Sequence, residues 1–165
     1  MNLNKDQLFQ LAQIALVRMD GAWFMTVADQ FGKEAAWKID VAVWSQFSYV
    51  LGKHMRGKIQ GAPKWPDDFI NALNAVFTIM KTDGRDITVN GELMTVRVTD
   101  CETQKAIAKA GIADCGIATS ETYKGLARGL FGKNFEVTVS HVKNINRGDD
   151  CCEIVLFRNP TARPE

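Results

Sequence analysis

The hydrophobic pattern of this chain changes period near Thr82, and that change sets the class of fold. Before it, apolar residues recur at the spacing of an α-helix face; after it, they alternate in two paired runs, the spacing of half-buried strands. Strands that arrive in adjacent pairs, and not singly between helices, predict an α+β fold with an antiparallel sheet.

The first half reads as helix. Asn4 with Gln7 three residues later forms a capping-box pattern, and Leu8, Leu11, Ile14, Ala15 and Met19 follow at helical spacing. Asp20-Gly21 is expected to kink or break this helix, leaving a short helical stretch, AWFMTVADQ, that runs to Phe31-Gly32. From Gly32 to about Gly57 lies the most apolar helix, with one stripe of Ala36, Ile39, Val43, Phe47 and Val50 and another of Trp37, Val41, Trp44 and Leu51. A helix apolar on two sides is sandwiched between neighbours or lies at a subunit interface. Pro63 and Pro66 make GAPKWPDD a loop. Asp67 and Asp68 suit the positive start of the next helix, whose stripe is Phe69, Leu73, Val76, Phe77 and Met80, with Thr82-Asp83-Gly84 as its end.

The second half opens with a hairpin: Ile87 and Val89, the turn pair Asn90-Gly91, then Met94, Val96 and Val98. A short helix from about Asp100 to Ala110, closed by Gly111, precedes a second from about Asp114 to Leu130, closed by Gly132. Phe135, Val137, Val139 and His141 alternate as a strand; Asn144 to Asp150 turn, and CCEIVLFR is the last strand. The expected architecture is a helical N-terminal half packed on an antiparallel sheet of two hairpins, with two helices between the hairpins. It forms one domain over residues 1–158, followed by a loose tail over 159–165.

Composition narrows the partners. A net charge of +1 argues against nucleic acid, and the basic cluster Lys53, His54, Arg56 and Lys58 reads as a solvated helix end. No apolar run approaches the twenty or so residues of a membrane span. The polar start MNLNKDQLFQ is not a secretory signal. The four cysteines are therefore expected in a reducing cytoplasm, as buried residues, metal ligands or reactive thiols before disulfides.

Strand alternation divides the Cys151-Cys152 pair. Cys152 shares a face with Ile154 and Leu156 and is expected to point inward. Cys151 shares the other with Glu153, Val155 and Phe157 and reads as a bystander. Thr99 and Glu102 fit a capping box, placing Cys101 in the first turn of its helix; Cys115, after Ala113-Asp114, also falls in a first turn. Free backbone N–H groups there favour thiolate, so Cys101 and Cys115 are the candidate nucleophiles. With Cys152 and His141 they compose a Cys₃His set, a known zinc composition, so zinc or another thiophilic metal is the cofactor such a site would take. The spacing is not that of a zinc finger, and buried cysteines without chemistry are an equal reading. Asp40, between Trp37 and Trp44, is the candidate acid or base, since a carboxyl among tryptophans has a raised pKa; a helix-rim aspartate is its structural alternative. GxGxxG, the P-loop lysine motif and HExxH are absent.

GAWFMTVADQFGKEAAWKIDVAVW, the central hairpin, Cys101, Cys115 and the GDDxC motif from Gly148 to Cys152 together resemble small bacterial proteins related to L-2-amino-thiazoline-4-carboxylate hydrolases. More distantly they resemble the vinyl-4-reductase (hydrocarbon-binding) domain and TRAPP transport subunits. The resemblance covers nearly the whole chain, its matching positions being the three cysteines with Trp23, Gly32, Asp40 and Trp44. It implies helices on an antiparallel sheet, a pocket between them for a small, partly apolar ligand, and a homodimer. Trp23, Trp37, Trp44 and Phe47 are the candidate ligand-binding residues. Three functions stay open: a small-molecule-binding, sensory or carrier-like domain with a cysteine-lined and metal-binding site; a hydrolase opening a small heterocycle or amide; and an interaction subunit with structural cysteines.

Overall fold

The structure is a computed structural model, and it describes residues 2–158. The expected loose tail lies outside the described residues. The elements run α1 (Lys5–Phe31), α2 (Lys33–Arg56), α3 (Asp67–Ile79), β1 (Thr82–Asn90), β2 (Leu93–Cys101), α4 (Glu102–Lys109), α5 (Gly116–Phe131), β3 (Val137–Lys143), a 3₁₀ turn (Ile145–Arg147) and β4 (Cys152–Arg158). The sheet is antiparallel throughout with strand order β1-β2-β4-β3, so the two hairpins lie side by side and join through β2 and β4. This is the α+β arrangement expected from the sequence. Among the described residues no helix is long and apolar enough to cross a membrane.

The capping box of Asn4 and Gln7 forms as expected. The break at Asp20-Gly21 does not: α1 continues unbroken for 27 residues. A helical glycine is about 1 kcal/mol worse than alanine, and packing outweighs that deficit. Phe24 is buried, the Gln13 amide donates to the Thr78 carbonyl of α3 at 2.6 Å, and the Trp44 indole of α2 donates to Asp20.

The second correction concerns α2. The stripe Ile39, Val43, Phe47 and Val50 is exposed, at 36–44%. The face turned inward is Ala36, Asp40, Trp44, Ser48 and Gly52, one residue in every four. Close approach explains the choice. A Cβ on Gly129 of α5 would stand 2.1 Å from the Tyr49 carbonyl, one on Gly125 2.3 Å from the Ser48 hydroxyl, and one on Gly52 2.6 Å from the Leu126 carbonyl. The α2–α5 seam is built on small residues because the two backbones nearly touch. Leu8, Leu11, Ile14 and Met19 of α1 are likewise exposed, at 48–71%.

The first hairpin turns one residue later than the Asn90-Gly91 pair predicts. Asn90 pairs with Leu93, so Gly91 and Glu92 form the loop. Gly91 alone takes positive φ, at 60°, as a type II′ turn requires at its first position. Thr82 opens β1 where the sequence placed a helix end; Lys81, at φ 53°, makes the turn between them. The core lies between the inner sheet face and helices α3 and α5, with Phe69, Leu73, Leu126, Leu130, Val96 and Leu156 at zero exposure.

Candidate functional site: a thiol-lined cavity

Four elements bring their ends to one place. Cys101 closes β2 and is the N-cap of α4; its sulfur accepts from the Gln104 backbone N–H at 3.4 Å and from the Thr82 hydroxyl at 3.9 Å. It is thus the cap itself and not a first-turn residue, because the Thr99 hydroxyl donates instead to the Gly84 carbonyl at 3.1 Å. Cys115 is the N-cap of α5, again one position before the expected first turn. Cys152 opens β4 opposite Val98, and His141 of β3 sits opposite Ile154.

The three sulfurs and the imidazole line one cavity of about 110 Å³, closed by apolar walls that include Trp44, Phe77, Val98 and Tyr123. Alternation predicted the inward side of Cys152, and Cys152, Ile154 and Leu156 are all buried. Cys151 does lie off this cavity, but it is no exposed bystander. It has zero exposure, and its sulfur accepts from the Arg97 guanidinium at 3.2 Å. The burial comes from its place just before β4 begins, under the Arg97 side chain.

A buried asparagine fixes the floor. Asn144 donates through its side-chain amide to Asp114 at 2.6 Å and through its backbone N–H to Asp149 at 2.6 Å, while its Oδ1 accepts from the Asn146 N–H at 2.9 Å. The same Oδ1 lies 3.7 Å from the Cys115 sulfur. Asp114 also accepts from the Gly116 N–H at 2.8 Å and pairs with Arg147. Gly116 leaves little room: a Cβ there would stand 3.0 Å from both the His141 Nδ1 and Asp114. Both ring nitrogens of His141 are buried without a well-formed hydrogen bond.

The thiols differ in acidity. Cys152 is held below the usual thiol range, first by a hydrogen bond from Cys115, then, against burial, by His141 and the Ile145 backbone N–H. Cys115 is pushed up by that same bond, by burial and by the other two sulfurs. Burial pushes Cys101 up. Of the three thiols, only Cys152 is shifted toward the thiolate, and Cys115 is shifted away from it. Cys101 and Cys115, the nucleophiles the sequence suggested, are the two shifted up, Cys101 chiefly by burial and Cys115 first by its bond to Cys152 and then by burial. Among the described residues no group of three or more His, Cys, Asp and Glu is arranged to hold a metal ion. The sulfurs have other partners: Cys101 accepts from Thr82 and Gln104, and Cys115 donates to the Asn144 Oδ1.

The other candidates lie elsewhere. Trp44 alone of the aromatic set lines the thiol cavity. Trp37 and Asp40 face a second cavity, while Trp23, Phe47 and another edge of Trp44 line a third, shallower one of about 290 Å³. Asp40 is 3% exposed, so it is no rim residue; burial, and then the charge of Asp20, raise its pKa to about 7. Asn144, Tyr123 and Asp20 escaped sequence reasoning. Asn144 sits in a polar turn that looked like solvent, and Tyr123 and Asp20 are single residues within helical runs.

The fold has counterparts among solved structures. A trafficking protein particle complex subunit 3 from Naegleria fowleri, covalently bound to palmitic acid, superposes with a TM-score of 0.62 at 12% identity over 93% of this chain and 99% of that chain. The phenol-responsive sensory domain of the transcription activator PoxR, with phenol, superposes with a TM-score of 0.53 at 11% identity over 88% of this chain and 74% of that one. At such identities the likeness is one of fold. No curated protein matches the sequence. Residues 1–138 match the family described as "Family of unknown function (DUF6125)", and the chain belongs to that family.

Proposed function

We propose that this chain is a small-molecule-binding domain whose ligand, small and partly apolar, occupies the thiol-lined cavity. The observation that carries the reading is convergence. Three cysteines and a histidine, from a strand end, two helix starts and a neighbouring strand, open on one cavity whose remaining walls combine apolar side chains such as Trp44, Phe77 and Ile154 with a few polar ones such as Thr82 and Gln104. Apolar pockets with a few convergent polar groups and perturbed pKa values are where ligands bind. Two proteins that share the fold were solved with palmitic acid and with phenol, which supports an apolar guest. All four cysteines are free, as a reducing cytoplasm would keep them.

The test is thermal stabilisation by phenol and by short-chain carboxylic acids, in the wild type and in Ala118→Phe, which fills the cavity from α5. Saturable stabilisation that the filled variant loses supports the reading. No shift with any probe, or a shift that the filled variant keeps unaltered, would sink it. Metal analysis of the same preparation decides whether a thiophilic ion enters into binding.

A second reading is favoured by Cys152 specifically: a hydrolase opening a small heterocycle or amide, with the Cys152 sulfur as nucleophile and Cys115 returning the proton. Its support is the divided acidity of the pair. Cys152→Ser that leaves turnover unchanged would remove it.

The partner is a second copy of the chain. The bare apolar faces of α1 and α2, with Leu11, Met19, Val43 and Phe47 all at 36% exposure or more, support a homodimer, because contiguous exposed apolar area marks an interaction surface. A monomer at all concentrations in sedimentation equilibrium would contradict it.

A further inference from the structure

The geometry points to a second binding site, in the cavity between α1, α2 and α4, that takes a small organic amine with its ammonium against Asp20 and Asp40. The cavity measures about 580 Å³, roomier than the thiol cavity. Its walls are largely apolar, with Val17, Phe24, Trp37 and Ile107 among them. Set into those walls are two carboxyl groups from different helices.

Asp40 carries the argument. It is 3% exposed, and its Oδ1 is buried with no hydrogen-bond partner. Buried carboxyl oxygens are almost always satisfied, so an orphan lining a cavity marks the place of a missing donor. Asp20 already accepts from the Trp44 indole, yet its charge still bears on Asp40. Two like charges in an apolar wall disfavour ionisation of both. A guest that brings one positive charge and several N–H donors relieves the repulsion and satisfies the orphan together; an ammonium does both. Thr103 adds a buried hydroxyl without a partner on the same wall.

Among the described residues no such cation reaches the two carboxyls. Lys33, Lys109 and Arg18 border the cavity but are exposed, and among the described residues none forms an ion pair with either carboxyl. At the mouth their charges are screened by solvent, whereas the buried Asp40 carboxyl is shielded from it and Asp20 is half-buried. Met80, Thr103 and Ile107 form a wall common to this cavity and the thiol cavity. The proposal does not depend on what the thiol cavity binds.

Benzylamine is the probe and benzyl alcohol its neutral control, titrated at pH 7.5 by calorimetry and by the fluorescence of the tryptophans. Saturable benzylamine binding is expected, weakened about tenfold or more in Asp40→Asn and in Asp20→Asn, as for a lost charge-assisted hydrogen bond, with benzyl alcohol much weaker in the wild type. Melting curves establish that each variant is folded, and either variant alone suffices. The proposal is overturned if benzylamine does not saturate, if the alcohol binds as tightly as the amine, or if a folded variant binds the amine like the wild type.

Discussion

The two faces of α2 differ in the opposite sense to their hydropathy. The inward face, Ala36, Asp40, Trp44, Ser48 and Gly52, contains a carboxyl and a hydroxyl; the outward face, Ile39, Val43, Phe47 and Val50, is wholly apolar and bare. Proximity decides between them. Small residues let α2 and α5 approach until backbone meets backbone, and the dense contact this allows outweighs the larger transfer free energy of burying Val and Phe. Ser48 then satisfies its own hydroxyl on the Trp44 carbonyl at 2.8 Å. The inward face also holds the wall residues of both cavities, since Trp44 borders the thiols and Asp40 the amine site. On this helix the more hydrophobic face is thus the exposed one, and the core and the cavities lie on its small, mixed face.

The severest way to break that contrast is to enlarge the seam. Gly129→Val places a branched side chain where even a Cβ would lie 2.1 Å from the Tyr49 carbonyl. The obstacle is backbone, which cannot swing aside. Overpacking generally costs about 1–3 kcal/mol, and more where nothing yields. Loss of the folded state is expected, seen as the absence of a cooperative melt by circular dichroism.

Asp40→Asn is expected to act next most strongly, and its effect depends on pH. The folded carboxyl is raised from 3.8 to about 7, so the folded state binds a proton more tightly than the unfolded one. Stability from that proton is fully present below pH 3.8 and is lost as pH rises through about 7. Asp20, raised in the same direction, adds to the loss; Lys33, Lys109 and Arg18 reduce it from the rim. Between those limits the wild type should lose on the order of 3 kcal/mol. Asn, neutral throughout, should flatten the profile and melt higher than the wild type at pH 8. Parallel pH profiles for the two proteins would show that Asp40 is ionised at little penalty.

Within the thiol cavity the contrast lies between sulfurs. At pH 7 iodoacetamide should alkylate Cys152 before Cys115 and Cys101, because only Cys152 is drawn below the ordinary thiol range. Removing its donor in Cys115→Ala should slow the labelling of Cys152 severalfold, read by peptide mass spectrometry. That variant should lose only about 1 kcal/mol of stability, as for other small buried truncations. Equal rates at the three sulfurs would dissolve the pairing.

Periodicity made the element types legible, and with them the antiparallel α+β plan, because each strand and helix repeats its signal over several turns. The convergence of Cys101, Cys115 and Cys152 was also legible, since element ends must meet where hairpins and helices join. Three things were not. The continuity of α1 through Asp20-Gly21 depends on Trp44 and Thr78, distant in sequence. The buried face of α2 depends on glycines in α5. The burial of Cys151 depends on Arg97, a neighbour that strand alternation does not reveal. Each is a tertiary contact overriding a local rule.

The smallest effect on the single chain is expected on the outward face. Phe47 and Val43 are 36% and 44% exposed, so Phe47→Ser and Val43→Ser remove only part of the burial that a core change removes. Changes at such half-covered positions shift stability by about 1 kcal/mol or less. If a second copy covers this face, the same changes remove apolar area from the interface, where each large side chain is worth about 1.5–3 kcal/mol on full burial. The two readouts then separate. The melting temperature measured at dilution, where only monomer remains, should fall only slightly, while the dimer dissociation constant from sedimentation equilibrium should rise tenfold or more by the relation of about 1.4 kcal/mol per decade. A fall in monomer stability with no change in association would mean that this face packs against its own chain, and the contrast between the two sides of α2 would lose its meaning.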